Sequence, residues 1–73
     1  MLNARKLKTL RHANGWTYTQ MLSRLAKDCG AYCAPATLAN YENGRTKHCR
    51  PEMLFALAKL YDVESKDLLI MES

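Results

Sequence analysis

Tyr41-Glu42-Asn43-Gly44-Arg45 carries more chemical information than any other stretch of this chain. It closes a short segment, 35–41, whose first residue is proline, a residue suited to the first turn of a helix. It then runs into a basic stretch holding Arg45, Lys47 and Arg50. A helix ending in Glu-Asn-Gly ahead of a cationic loop suggests a helix that reads DNA, followed by a loop that holds phosphate.

Other reactive residues form weaker sets. Cys29, Cys33, His48 and Cys49 are of the types that a tetrahedral zinc site uses. Their spacing argues against it. Cys29 falls on the apolar stripe of a helix, and the neighbouring His48 and Cys49 would have to aim at one ion together. Three cysteines are an odd number and make no disulfide framework. They read as reduced thiols, with no metal or cofactor expected. No glycine-rich phosphate loop, carboxylate pair or nucleophile–histidine arrangement is present, so an enzyme is not expected. His12 reads as a solvated residue near a helix C-terminus.

Five short helices would have to position these residues. The first is predicted over 4–13, with Asn3 as N-cap, Leu7 and Leu10 inward, and Asn14-Gly15 at its end. Arg5, Lys6 and Lys8 are expected in solvent. The second starts at Thr17, where Thr17 and Gln20 fit a capping box and Trp16 and Met21 a hydrophobic staple. Its stripe is Met21, Leu22, Leu25, Ala26 and Cys29, and Gly30 stops it. After a loop, Pro35 opens a third helix with Leu38 and Tyr41 inward, which Gly44 ends. Pro51 opens a fourth, with Leu54, Leu57, Ala58 and Tyr61 inward. Asp62-Val63-Glu64 is a turn. A fifth helix is expected from about Ser65, presenting Leu68 and Leu69, before an apolar tail of Ile70 and Met71. No repeat, linker or low-complexity stretch divides residues 1–73, so one small domain is expected.

In this order the segments resemble the lambda-type phage repressor and Cro group, the XRE-type helix-turn-helix proteins. Leu10-Arg11 with the following Gly15 resembles that group's first helix ending. Leu25-Ala26 with Cys29-Gly30 resembles its second. Thr37-Leu38 with Tyr41-Glu42-Asn43-Gly44 is similar to its recognition helix and stop. Leu57-Ala58-Lys59 and Val63, with Leu68-Leu69, are similar to its last two helices. Helix 2 is about a turn longer than usual in the group. The turn before helix 3 is longer by a couple of residues, and Ala34 stands where serine or threonine is common.

The resemblance implies an all-α, five-helix, lambda-repressor-like fold whose recognition helix, at about 35–43, enters the major groove by its first residues. Pro35, Ala36, Thr37 and Asn40 would then meet bases. Asparagine can bond N6 and N7 of adenine together, and small apolar groups can touch a thymine methyl. Asn43, Arg45, Lys47 and Arg50 would hold phosphates. Free N–H groups at Thr17 and Tyr18, where helix 2 begins, would hold another. The resemblance also implies an ion pair between Arg11 and Glu42 that sets the angle of helix 3.

Bulk properties agree with an anionic partner. The chain has 73 residues, 11 Lys and Arg against 7 Asp and Glu, and a net charge of +4. Its isoelectric point is about 9.2. No apolar run is long enough for a bilayer. Met1-Leu2-Asn3 leads directly into a polar helix, so no secretory leader is expected and the cytoplasm of a bacterium is the expected location. The expected partner is a double-stranded DNA operator, with no membrane and no small-molecule ligand. A homodimer is expected on that operator, because one recognition helix spans too few base pairs to choose a site. Helix 4 and Leu69, Ile70 and Met71 are its expected contact. The alternative is a protein-interaction module of the same fold, such as an antitoxin.

Overall fold

The computed structural model describes residues 1–70. Met71, assigned above to the apolar tail, lies outside the described residues. Four α-helices follow in order: α1 Ala4–Ala13, α2 Tyr18–Cys29, α3 Pro35–Glu42 and α4 Pro51–Tyr61. A 3-10 turn, Ser65–Leu68, stands where the fifth helix was expected. The domain is all-helical, and the described residues contain no strand longer than an isolated bridge.

The local signals act where they stand. Asn3 Oδ1 accepts from the Lys6 amide at 3.1 Å. The Thr17 hydroxyl accepts from the Gln20 amide at 3.2 Å, and the Gln20 side chain accepts from the Thr17 amide at 2.9 Å. Gly30 takes φ 64 and ends α2 in the left-handed conformation that costs other residues energy. Ala34 precedes α3 in an extended conformation and offers no side-chain cap. The fixed φ of Pro35 opens that helix without one.

Packing joins α2 to α4, α1 and α2 to α3, and the final turn to α4 and α1. The fully buried side chains are Leu7, Met21, Leu25, Leu38, Leu57 and Leu68. Trp16 and Met21, the residues of the expected staple, both contact Tyr61. Trp16 stacks on Tyr61 with ring centroids 5.9 Å apart. The Tyr61 hydroxyl then donates to Met21 Sδ at 2.8 Å. On α4, Ala56 is buried with Leu57, Ala58 and Tyr61, while Leu54 is half-buried. Leu57, Ala58 and Tyr61 are thus inward as expected; helix α4 is apolar nearly all round, so periodicity alone does not set the edges of that face, where Ala56 is buried and Leu54 is not.

The missing fifth helix has a non-local cause. Glu64 and Leu69, on either side of the turn, are both extended. Leu2 forms an antiparallel bridge with Leu69. The Ile70 amide donates to Met1 O at 2.8 Å, and the Asn3 amide donates to Leu68 O at 2.8 Å. A helix continued through Leu69 would forfeit those bonds. The N-terminal segment is thus part of the fold, and Leu2 is buried.

Candidate nucleic-acid interface

Helix α3 is anchored on one side and open on the other. Leu38, Tyr41 and Glu42 are buried. At 100° per residue, the opposite side presents Ala36, Asn40 and Asn43. Pro35 and Ala36 are exposed, and Asn40 is half-buried. The Asn40 carbonyl accepts from the Thr46 amide at 3.1 Å. Its side-chain amide reaches solvent, since no buried side-chain polar atom among the described residues lacks a partner. Thr37 stands on the flank of α3 and faces a cleft that Arg50, Tyr41 and Cys33 also line.

The anchoring is electrostatic as well as apolar. Arg11 Nε donates to Glu42 Oε2 at 2.8 Å and to Oε1 at 3.0 Å. Arg11 Nη1 donates to the Trp16 carbonyl at 2.8 Å. The guanidinium also lies 4.3 Å from the centre of the Tyr18 ring, over its face. Side-chain exposure is 11 % for Arg11 and 2 % for Glu42. The hydrogen bond to Glu42 raises the Arg11 pKa above its ordinary value, against the opposing effect of burial. The pair therefore ties the end of α1 to the end of α3. The sequence reading of Arg11 and Glu42 as partners agrees with this contact.

Residues 45–50 form a loop whose backbone is held while its cations face solvent. Gly44, at φ 81, turns the chain out of α3. Asn43 Oδ1 accepts from the Arg45 amide at 3.1 Å, so only the Asn43 side-chain N–H groups remain to donate outward. Lys47 O accepts from the Leu2 amide at 2.7 Å. Arg45, Lys47 and Arg50 are all exposed. Arg45 and Lys47 lie beyond the end of α3, whereas Arg50 lines the cleft between the 30–34 turn and the start of α4. The expected basic set is thus divided, with Arg50 on this cleft and Lys47 on a separate groove. At the start of α2 the capping box occupies the amides of Thr17 and Gln20. The Tyr18 and Thr19 amides are the first-turn donors that the box leaves over. Tyr18 is half-buried, with its ring under Arg11.

The three cysteines do not converge. All are free and half-buried. Cys29 Sγ donates to Ala56 O at 3.5 Å. Burial raises the pKa of the Cys33 and Cys49 thiols, which favours their protonated form. Among the described residues, no group of three or more His, Cys, Asp or Glu is placed to hold a metal ion.

Comparison with known proteins is decisive at the level of family. The family model described as a helix-turn-helix domain matches residues 4–69. The chain belongs to the helix-turn-helix domain family. The match agrees with the XRE-like resemblance drawn from the segments above. No curated protein and no solved structure matches the chain. In this helix-turn-helix domain, α2 and α3 pack on each other across the 30–34 turn, with α1 against α3 and α4 against α2. The family is typically non-enzymatic and suggests DNA binding. No helix among the described residues is long and apolar enough to cross a membrane.

What sequence reasoning missed is the N-terminal brace of the loop. Leu2 carries a weak signal, one apolar residue two positions ahead of a helix, and the contact it makes is with residues 45 to 67 positions away.

Proposed function

We propose that this helix-turn-helix domain is a sequence-specific, DNA-binding transcriptional regulator, most simply a small Cro-like repressor that occupies an operator and blocks polymerase. The observation that carries this reading is the division of α3. One side is pinned by Leu38, Tyr41 and the Arg11–Glu42 pair, and the other presents Ala36 and Asn40 beside an exposed basic loop. In this reading Pro35, Ala36, Thr37 and Asn40 meet bases in the major groove. Tyr18, Asn43, Arg45, Lys47 and Arg50 meet phosphates, and Thr17 does so through its hydroxyl, because its amide, expected free, is taken by the Gln20 side chain. Selection of bound duplexes from a random pool tests the reading directly. A shared short site should emerge; retention of random sequences would reject sequence-specific binding.

The phosphate assignment has its own test. Replacing Arg45 and Lys47 together by alanine should weaken binding to all duplexes alike. The slope of log affinity against log salt should become shallower by about 0.9 for each lost contact. Unchanged affinity at fixed salt would remove the loop from the interface.

Pairing on DNA is part of the reading. Two copies on a two-fold site would read half-sites about one helical turn apart. Leu69 is engaged by Leu2 and the core of its own chain, which leaves Ile70, 40 % exposed, and Phe55 on α4, 63 % exposed, as apolar groups available to a second copy. Sedimentation of the complex with a selected duplex should give two proteins per DNA. Strong, specific binding by one copy to an asymmetric site would refute pairing.

Phe55, with Tyr32 at 79 % exposure, also favours a second reading, a protein partner for the same fold, as in an antitoxin. Binding to random duplex at low salt that disappears as salt rises favours DNA. Salt-insensitive behaviour with no duplex binding favours the protein partner.

A further inference from the structure

A groove runs beside the start of α1, and its walls come from three distant parts of the chain. Met1, Asn3, Arg5, Gly44, Lys47 and Ile70 line it. It carries two cations, and none of its lining residues is acidic. The first turn of α1 holds no acidic residue either. Among the described residues, the ion pairs are Arg11–Glu42 and Lys66–Glu64, and neither includes Arg5 or Lys47.

The two cations stand on a fixed frame. The bond from the Leu2 amide to Lys47 O, at 2.7 Å, ties the loop to the N-terminal segment. The bonds from Asn3 to Leu68 O and from Ile70 to Met1 O tie that segment to the C-terminal turn. Burial of Leu2 anchors it in the core. Arg5 is the second residue of α1, two positions beyond Asn3, so its backbone is held relative to Lys47. Gly44 forms one wall, next in the chain to Asn43 on the open side of α3. The groove therefore opens beside the face that would meet the duplex.

We propose that Arg5 is a further phosphate-binding residue and that the Arg5–Lys47 groove takes the backbone of the same double-stranded DNA that α3 reads. This rests on the DNA-binding reading above and extends its footprint to a helix that reading leaves in solvent. A DNA strand carries a charge about every 3.4 Å of helix axis, so two cations on one groove meet the same or neighbouring phosphates. The footprint continues along α1. Arg5 also borders a second hollow with Lys8 and His12, which places Lys8 next in line along the exposed side of that helix.

Arg5→Ala and Lys59→Ala, compared in the full chain, test the inference. Lys59 is exposed on α4 and does not line the groove. Each variant loses one positive charge, so general attraction to DNA falls equally. Arg5→Ala should flatten the salt slope by about 0.9 on specific and random duplexes alike, while Lys59→Ala leaves it nearly unchanged. Arg5 is exposed and forms no ion pair among the described residues, so the thermal unfolding of both variants should match that of the parent. Equal slopes for the two variants, with Arg45→Ala still flattening the slope, would overturn the role of Arg5 and leave the DNA reading standing. Absence of duplex binding by the unaltered chain would overturn both.

Discussion

Replacing Arg11 by alanine will destabilise this domain by about 3–5 kcal/mol, the usual loss when one partner of a buried ion pair is removed. Glu42 would remain at 2 % side-chain exposure with no cation beside it. The Trp16 carbonyl would lose the donor that now stands 2.8 Å away. A domain of this length is stable by roughly 4–11 kcal/mol, so the variant should unfold well below the parent's midpoint in denaturant. Glu42→Ala should cost less. Arg11 is the more exposed partner, and its guanidinium keeps the Trp16 carbonyl and the Tyr18 ring. The double variant should lose less than the sum of the single losses, with a coupling on the order of 0.5–3 kcal/mol. Strictly additive losses, measured by denaturant unfolding, would show that the pair contributes nothing as a pair. DNA binding should fall with either variant even where the fold survives, because the pair joins the end of α1 to the end of α3.

Asn40→Ala should weaken binding to the best selected site by about 1–3 kcal/mol, or roughly 5- to 150-fold, and leave random duplex nearly unaffected. The substitution removes a side-chain amide that reaches solvent. It keeps the Asn40 carbonyl, which accepts from the Thr46 amide and helps shape the start of the basic loop. Alanine is also the better helix former, so stability should not fall. A selective loss therefore reports base contact. An equal loss on the selected site and on random duplex would make Asn40 a positioning residue with no part in the choice of sequence.

Much of the site was legible because its determinants are short-range. Pro35 and the Glu42-Asn43-Gly44 stop bracket α3 by backbone preference alone. Leu38 and Tyr41, three apart, identify its inner side, and the exposure of Ala36 and the solvent access of Asn40 follow from that. The cations of residues 45–50 were visible as a run. Their grouping was not. Arg50 turns toward a cleft with Thr37 and Cys33, while Lys47 shares a groove with Arg5. Separation in the chain says nothing about which depression a loop side chain borders.

The sequence by itself determined where the four helices begin and end. Asn3, Thr17 with Gln20, Gly30, Pro35, Gly44 and Pro51 act on backbone groups within a few residues of themselves. The pairing of Arg11 with Glu42 was implied by the resemblance to the XRE-type group, and the packing of α1 on α3 brings the two side chains together. Tertiary structure alone decided three things. It added Ala56 to the expected inner residues Leu57, Ala58 and Tyr61 of α4 and left Leu54 half-buried, because that helix is apolar nearly all round and its packing on α2 and the final turn sets the edges of the face. It replaced the expected fifth helix by one 3-10 turn, because Leu69 and Ile70 bond to Met1 and Leu2 across the whole length of the domain. It also set Arg5 beside Lys47, through the hydrogen bond from Leu2. Contacts between residues more than forty positions apart leave no periodic trace, since the pattern of a helix or a turn records only what lies within a few residues of it.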